Sequence, residues 1–168
     1  ARPEEVKTEI QEMIGLDTSD TIEVSAKSGI GIEDLLEYIV KNVPPPKGDP
    51  KKPLQALIVD SWFDNYLGVV SLVRIVNGTL RKNDRITMMS TGKSYSAENI
   101  GLYCPHQTPK DELECGQVGY VIAGIKDIHG APVGDTITLT KEMADTPLGG
   151  FQQVKPQVYS GLFPVSAE

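Results

Sequence analysis

A proline-rich segment from Pro44 to Pro53, "PPPKGDPKKP", separates two stretches of different character. Before it, apolar residues recur at helical spacing, whereas after it short apolar runs alternate with Gly, Asn and Asp turn signals. Proline fixes φ and has no amide hydrogen to donate, so a segment of this composition is stiff and suits neither a helix interior nor a central strand. The sequence therefore predicts a domain boundary here, with a linker at 47–53.

The stretch before the linker predicts a helix, a strand and a second helix. Pro3 suits the first turn of a helix, and Gly15 provides a stop. The run "TIEVSA", from Thr21 to Ala26, predicts a short strand, and the three prolines at 44–46 end the second helix. The two apolar stripes consist of Val6, Ile10, Met13 and Ile14, and of Ile32, Leu35, Leu36, Ile39 and Val40.

This helix-strand-helix segment cannot complete a domain. A single strand flanked by helices has no neighbour for its backbone hydrogen bonds, and strands of this kind lie inside larger sheets. We therefore interpret residues 1–46 as the C-terminal remnant of a larger α/β domain.

Residues 54–148 carry strand patterns without a helical period, which predicts a mainly β fold, a small antiparallel barrel or sandwich. Asn77-Gly78 predicts a type I′ hairpin turn. The run "VVSLVRIV" at 69–76 is apolar on both faces, which predicts a strand covered on both sides, as in a closed barrel packed on a neighbour. Residues 149–168 begin with a Gly-Gly break and predict the first strand of a third, truncated domain.

The charge of the chain limits its choice of partners. The net charge of −7 argues against strong nonspecific nucleic-acid binding, because such binding depends on Lys and Arg neutralising phosphates. The net charge is compatible with a local basic patch, which would consist of Arg74, Arg81, Lys82 and Arg85. For each of these residues alone, a solvated hairpin charge is the alternative interpretation. Two cysteines are too few for a disulfide framework and indicate a reducing compartment, and we expect a monomer that does not span a membrane.

Several residue groups imitate sites of catalysis or binding. Gly92-Lys93-Ser94 copies the end of a phosphate-binding P-loop, but the first glycine of that motif would fall at Thr87 and no helix pattern follows. No N-K-x-D motif is present. Asp127 and His129 resemble an acid/base pair without a nucleophile nearby in sequence. A zinc site is also not predicted, because the tight paired spacing is missing from Cys104, His106, Cys115 and His129.

The aromatic residues Trp62, Phe63 and Tyr66 have two interpretations. They could stack on nucleic-acid bases, or they could plug a barrel end or a seam between domains, and we favour the second interpretation.

Longer motifs point to a family. "SAKSGIGIEDLL" resembles the last guanine-binding loop of translational GTPases and the helix that follows it. "NGTLRKNDRI" and "CGQVGYVIAGIKDIHGAPVGDTI" resemble the second-domain barrel of these factors. "PLQALIVDSWFDNYLGVVSLVRI", "IKDIHGAPVGDT" and "KPQVYSGLFPVS" resemble the LepA, or elongation factor 4, family of ribosome-associated GTPases. The resemblance covers nearly the whole chain, and it departs at Asn83, where these barrels often carry Gly and where Asn also tolerates a left-handed φ.

The resemblance implies a domain organisation and residue roles. Residues 1–46 would end a P-loop GTPase domain, 54–148 would form the translation-factor domain II barrel, and 149–168 would start domain III. The Ala26 N–H would read guanine O6, Ser25 would brace the loop, and the aliphatic stem of Lys27 would lie beside the base. Adenine presents an amino donor where guanine has O6, so this N–H would distinguish the two bases.

The resemblance also implies an activity for the parent protein. It would bind GTP with Mg²⁺, hydrolyse it on the ribosome, and affect backward tRNA movement or small-subunit maturation, with possible peripheral association with the cytoplasmic face of the membrane. Domain II would contact small-subunit ribosomal RNA. The chain itself lacks the phosphate machinery, so we expect it to bind no GTP and to be inactive. The alternatives are another translational GTPase, of the elongation factor G group, or a stand-alone RNA-binding barrel.

Overall fold

The computed structural model describes residues 2–150, 158–163 and 165, and it divides into two compact units. We call Ala1–Pro46 the N-terminal unit and Lys47–Glu168 the barrel unit. The strand predicted at 149–168 falls mostly on residues outside those described, and it stays a prediction.

Two helices make up half of the N-terminal unit, α1 (Pro3–Ile14) and α2 (Ile32–Asn42). Pro3 occupies the first turn of α1, as the sequence predicts. Gly15 ends α1 with a φ of +74°, a left-handed conformation that glycine adopts without a steric penalty.

The strand predicted from Thr21 to Ala26 is not formed. The segment contributes only an isolated bridge between Ser25 and Ile30. The physical reason is the missing neighbour, because in the described residues no other strand lies beside this segment. Neither helix buries a residue, and α1 leaves Met13 83% exposed.

The described residues of the barrel unit contain ten strands. Eight form one antiparallel sheet of order β5-β4-β10-β1-β2-β9-β6-β7, and β3 and β8 form a separate pair. Their bounds are β1 Gln55–Asp64, β2 Gly68–Asn77, β3 Thr79–Arg81, β4 Arg85–Met88, β5 Ser94–Ser96, β6 Asn99–Tyr103, β7 Gln107–Lys110, β8 Glu112–Glu114, β9 Val118–Ile122 and β10 Thr136–Leu139. The predicted mainly β, antiparallel fold is confirmed.

One apolar core lies inside this unit. Alternate residues of β2, Val69, Val73 and Ile75, are fully buried in it. The separate pair joins the same core, because Leu80 of β3 and Leu113 of β8 face each other in register and are both inaccessible to solvent. The two-stranded pair is therefore part of the barrel wall.

The outer face of β2 is partly covered as well. Val70 packs with Tyr120 and Ile122 of β9 and with Trp62 of β1 in a second, smaller cluster. The prediction that this strand is apolar on both faces is thus confirmed for its first half, whereas Arg74 is exposed near its end.

The type I′ hairpin predicted at Asn77-Gly78 is wrong. Gly78 has a positive φ of +71°, but Asn77 does not, and β2 and β3 do not pair with each other. The Asn77 side chain instead accepts the Asp49 N–H at 2.9 Å and donates to the Gln55 side chain at 2.7 Å. The dipeptide is a corner between two strand pairs that also fastens the linker to the barrel.

Asn83 adopts a φ of +67° and is the only non-glycine with positive φ in the part of the chain that the structure describes. The turn that the sequence predicts here is therefore formed, with Asn in a position where a glycine would be unstrained.

Candidate functional site

The loop predicted to read guanine is a tight turn. The Ser25 N–H donates to the Ile30 carbonyl at 2.9 Å, and the Ser25 carbonyl accepts the Gly29 N–H at 2.8 Å. Ala26 and Lys27 are exposed beyond this bridge. The Ala26 N–H donates to no acceptor within residues 2–150, so the turn leaves this donor available to a ligand.

An ion pair fixes the segment that leads into this loop. The ammonium of Lys7 lies 2.8 Å from the Glu23 carboxylate and 3.1 Å from that of Glu4. These hydrogen bonds, the one to Glu23 first, raise the pKa of Lys7 above its ordinary value. Since Lys7 is on α1 and Glu23 lies two residues before Ser25, the pair ties α1 to the loop's entry.

The P-loop-like sequence forms a β-hairpin. β4 and β5 pair in register around it, the Met88 N–H donates to the Lys93 carbonyl, and Gly92 occupies the turn with a φ of +68°. A P-loop leads into a helix whose N-terminus faces the phosphates, whereas this turn leads into a strand. The expectation that no helix follows is confirmed.

Three of the four predicted basic residues surround one turn. Arg81 ends β3, Lys82 follows it, and Arg85 begins β4. Arg74 lies elsewhere, on β2 between Leu57 of β1 and Val118 of β9. The four residues therefore do not share one hairpin, because β2 does not pair with β3.

The turn that carries these cations is itself braced by acids. The Asp84 carboxylate accepts the Arg81 N–H at 2.8 Å, and the Arg81 guanidinium pairs with Glu112 at 3.2 Å across β3 and β8. Lys82 and Arg85 are exposed and form no ion pair with the described residues.

A second group of cations was not predicted from the sequence. Lys51 and Lys52 of the linker line a groove together with Arg81 and with Lys141, which follows β10. The signal in the sequence is the pair of adjacent lysines, which is unremarkable in a polar linker. Only the fold brings residues so far apart in the chain to one groove.

The three predicted aromatic residues do not form one cluster, because Trp62 packs on the sheet whereas Phe63 and Tyr66 are exposed. Trp62 lies on the outer sheet face, 6.4 Å from the Tyr103 ring centroid, and Tyr103 lies 5.4 Å from that of Tyr120. Burial, then the charge of Tyr103, raises the pKa of Tyr120. Phe63 and Tyr66 are exposed near the β1–β2 turn, so neither interpretation, base stacking or a plug, is established for them.

The apparent acid/base pair is a backbone cap. The Asp127 carboxylate accepts the His129 N–H at 3.0 Å and begins a 3-10 turn, Ile128–Gly130. Cys115 donates its thiol hydrogen to the Val76 carbonyl at 3.0 Å, and Cys104 is exposed. Within the described residues no three His, Cys, Asp or Glu side chains lie close enough together to hold a metal ion.

A cavity of about 430 Å³ adjoins the loop before β10. Asp135 lines it, and its buried carboxylate accepts hydrogen bonds from the Ser90 N–H, the Ser90 hydroxyl and the Thr136 N–H at 2.7–3.0 Å. All of these partners belong to the barrel, so Asp135 closes the loop and has a structural role. Separately, no helix in the described ranges is both long and apolar enough to cross a membrane.

Comparison with known proteins agrees with this architecture. The family model of elongation factor Tu domain 2 matches residues 68–138. The crystal structure of translation elongation factor SelB from Methanococcus maripaludis, in its apo form, superposes with a TM-score of 0.65 at 18% identity. The match covers 83% of this chain and 30% of the SelB chain, so the chain spans about a third of that structure. Residues 68–138 therefore belong to a barrel of the elongation factor Tu domain 2 type, which β1 completes from outside the matched range.

Proposed function

We propose that this chain is the part of a translational GTPase, of the LepA or elongation factor 4 type, that joins the end of the GTP-binding domain to domain II. The observation that carries the proposal is the combination of the domain 2 barrel with a preceding helix-loop-helix whose loop leaves the Ala26 N–H without an acceptor among residues 2–150. The motifs around Trp62 and His129 favour the LepA type over the elongation factor G group.

The N-terminal unit supplies the base-reading end of a nucleotide site. A guanine O6 would accept the Ala26 N–H, while the bridge between Ser25 and Ile30 holds the turn and the stem of Lys27 covers the base. The residues present fit the guanine only, because the described chain offers no glycine-rich loop before a helix for the phosphates or Mg²⁺. The parent's GTP-binding domain would supply that chemistry, and the isolated chain would not hydrolyse GTP.

The barrel unit would transmit the nucleotide state to the ribosome. A rigid barrel with cations on its surface can rest on small-subunit RNA and move as one body when the GTP-binding domain changes state. The parent would thereby act in the cytoplasm on ribosomes, affecting tRNA position or small-subunit maturation. Peripheral membrane association stays a prediction of the family resemblance.

Nucleotide discrimination by the full-length parent tests the guanine loop. Ala26→Pro removes the backbone donor, and Ala26→Gly keeps it, so the two variants form a matched pair. We expect Ala26→Pro to weaken GTP binding by about tenfold or more and to reduce the preference for GTP over ATP, because an unpaired base acceptor is costly. Equal discrimination by both variants would exclude this role for the Ala26 N–H.

The linker offers a test of coupling. Replacing residues 47–53 by a flexible Gly-Ser sequence in the full-length parent should lower ribosome-stimulated hydrolysis while leaving basal GTP binding intact. Unchanged stimulation would show that the linker does not transmit the nucleotide state.

A further inference from the structure

The linker and the barrel together form a positively charged groove. Of the four predicted basic residues, only Arg81 lines it. The groove has a volume of about 240 Å³ and lies entirely in the barrel unit. Its lining carries four cations and one acid, and it consists of Pro50, Lys51, Lys52, Leu54, Thr79, Arg81, Leu139, Lys141 and Glu142.

The groove has a rigid floor. Leu54 and Leu139 line it and are 1% and 8% exposed, so their side chains belong to the barrel core. Beyond Leu139 the chain turns tightly, because Leu139 forms a bridge with Glu142 and the Thr140 N–H donates to the Arg85 carbonyl at 2.9 Å. This turn sets the backbone position of Lys141.

The linker side of the groove is equally fixed. The Asp49 side chain accepts the Lys51 N–H at 2.9 Å, and its carbonyl accepts the Gly78 N–H at 3.0 Å. A Cβ on Gly78 would lie 2.8 Å from the Lys52 carbonyl oxygen and from the Leu54 Cα, so the linker passes directly against the barrel. The two linker lysines are therefore held at the groove by backbone contacts.

Most of this positive charge is not neutralised by the protein. Lys51, Lys52 and Lys141 are exposed and form no ion pair with any described residue, whereas Arg81 pairs with Glu112 at 3.2 Å. Exposed cations that line one groove create a local positive potential, which attracts anions. It stands out on a chain whose net charge is −7, and it favours a polyanionic ligand.

We infer that this groove binds the sugar-phosphate backbone of RNA. Lys51, Lys52 and Lys141 would pair with phosphates, and the buried Leu54 and Leu139 beneath them would keep the groove in a fixed shape. The inference rests on the proposed function, which places the barrel on ribosomal RNA. It extends that proposal by making the interdomain linker part of the RNA-binding surface.

The test is binding of the chain to a short fluorescein-labelled RNA duplex, followed by anisotropy across about 50–200 mM salt. The groove variant is Lys51→Ala with Lys52→Ala and Lys141→Ala, which leaves Arg81 and its ion pair in place. The matched control removes the same charge from exposed lysines outside the groove, Lys41→Ala with Lys93→Ala and Lys126→Ala. Thermal unfolding of both variants verifies that the barrel is intact.

We expect the groove variant to bind the duplex about tenfold or more weakly and to lower the salt-dependence slope by about 2–3, because each phosphate contact contributes about 0.9 to it. The control should change affinity far less. Any of three results would overturn the inference. The two variants could lose affinity equally, the wild-type chain could fail to bind the duplex at low salt, or it could bind anionic lipid vesicles and not the duplex. None of these results depends on Ala26, so the guanine-loop proposal would stand or fall separately.

Discussion

The backbone N–H of Asp49 donates to the side-chain oxygen of Asn77 at 2.9 Å, across 28 residues of sequence. The next amide along, that of Gly78, donates back to the Asp49 carbonyl at 3.0 Å. The linker is thereby fastened to the corner between β2 and β3, and its lysines are presented from a fixed backbone.

Removing the Asn77 side chain should therefore destabilise the barrel. Asn77→Ala leaves the partly buried Asp49 N–H and the Gln55 side chain without their partner, and each unsatisfied group costs about 1–3 kcal/mol. Urea unfolding measures the loss, and Gln107→Ala, which removes an exposed amide, is the control. If the two variants unfolded at the same urea concentration, the corner would not be a stabilising clamp.

Gly101 is required by the close approach of two strands and a ring. A Cβ there would overlap the Thr108 carbonyl oxygen and lie 2.6 Å from the Tyr120 hydroxyl oxygen. We expect Gly101→Ala to cost about 1–3 kcal/mol and to disturb the Tyr103–Tyr120 pair, which tyrosine fluorescence can follow. Gly149→Ala, where a Cβ meets nothing within 4 Å, should be nearly neutral, and similar losses at both sites would contradict the packing argument.

Because Asn83 has a positive φ, glycine and valine at this position should affect stability differently. Asn83→Gly should be neutral or slightly stabilising, whereas Asn83→Val should destabilise by about 1–2 kcal/mol, because a β-branched residue is strained in the left-handed region. Thermal unfolding of the two variants is the measurement. A valine variant as stable as the glycine variant would show that the turn relaxes to another conformation.

Asp64 makes stability depend on pH. Its carboxylate accepts the Tyr66 and Leu67 N–H groups at 2.8 and 2.9 Å, the one to Tyr66 being the stronger cause, and these bonds lower the pKa of Asp64. The folded pKa is depressed, so the stabilisation is present above the ordinary pKa of about 3.9 and is lost as the pH falls through the folded value.

Melting temperatures of the wild type and Asp64→Asn should therefore differ at about pH 6, and the difference should be smaller at about pH 3, below the ordinary pKa of the group. Asp145→Asn is the control, because its exposed carboxylate accepts no hydrogen bond from residues 2–150. A difference between wild type and Asp64→Asn that is the same at both pH values would exclude a charge-dependent cap.

Short apolar runs between turn signals predicted the barrel, and Val69, Val73 and Ile75 of one such run are buried in its core. The strand predicted at 21–26 is wrong for a reason that the sequence already contained. Its residues have strand-like composition, but a strand also requires a neighbouring strand, and the described part of the segment before the linker offers none. The hairpin predicted at Asn77-Gly78 is wrong for a related reason. The Asn77 side chain accepts the backbone N–H of Asp49, a contact between residues that are distant in sequence.

The candidate sites differ in the same respect. The guanine loop is local, so its tripeptide and the helix that follows suggest it, and the barrel motifs downstream favour it over an ordinary turn. The basic groove is not local, because Lys51, Arg81 and Lys141 approach one another only after β3 and β10 have taken their places. Arg74 and Arg81 are close along the chain, which predicted one patch for both, but Arg74 lies on β2 in the large sheet and Arg81 on β3 in the separate pair.

The central claim is that Ser25-Ala26-Lys27 is the base-reading end of a GTPase site, and the encoded sequence preceding Ala1 tests it most directly. We predict a G-x-x-x-x-G-K-[ST] loop, a D-x-x-G motif and an N-K-x-D motif in that order, the last of them shortly before Ala1. An encoded chain without these motifs would contradict the claim. The loop would then be an ordinary turn, and the barrel would be a binding module without an attached GTPase.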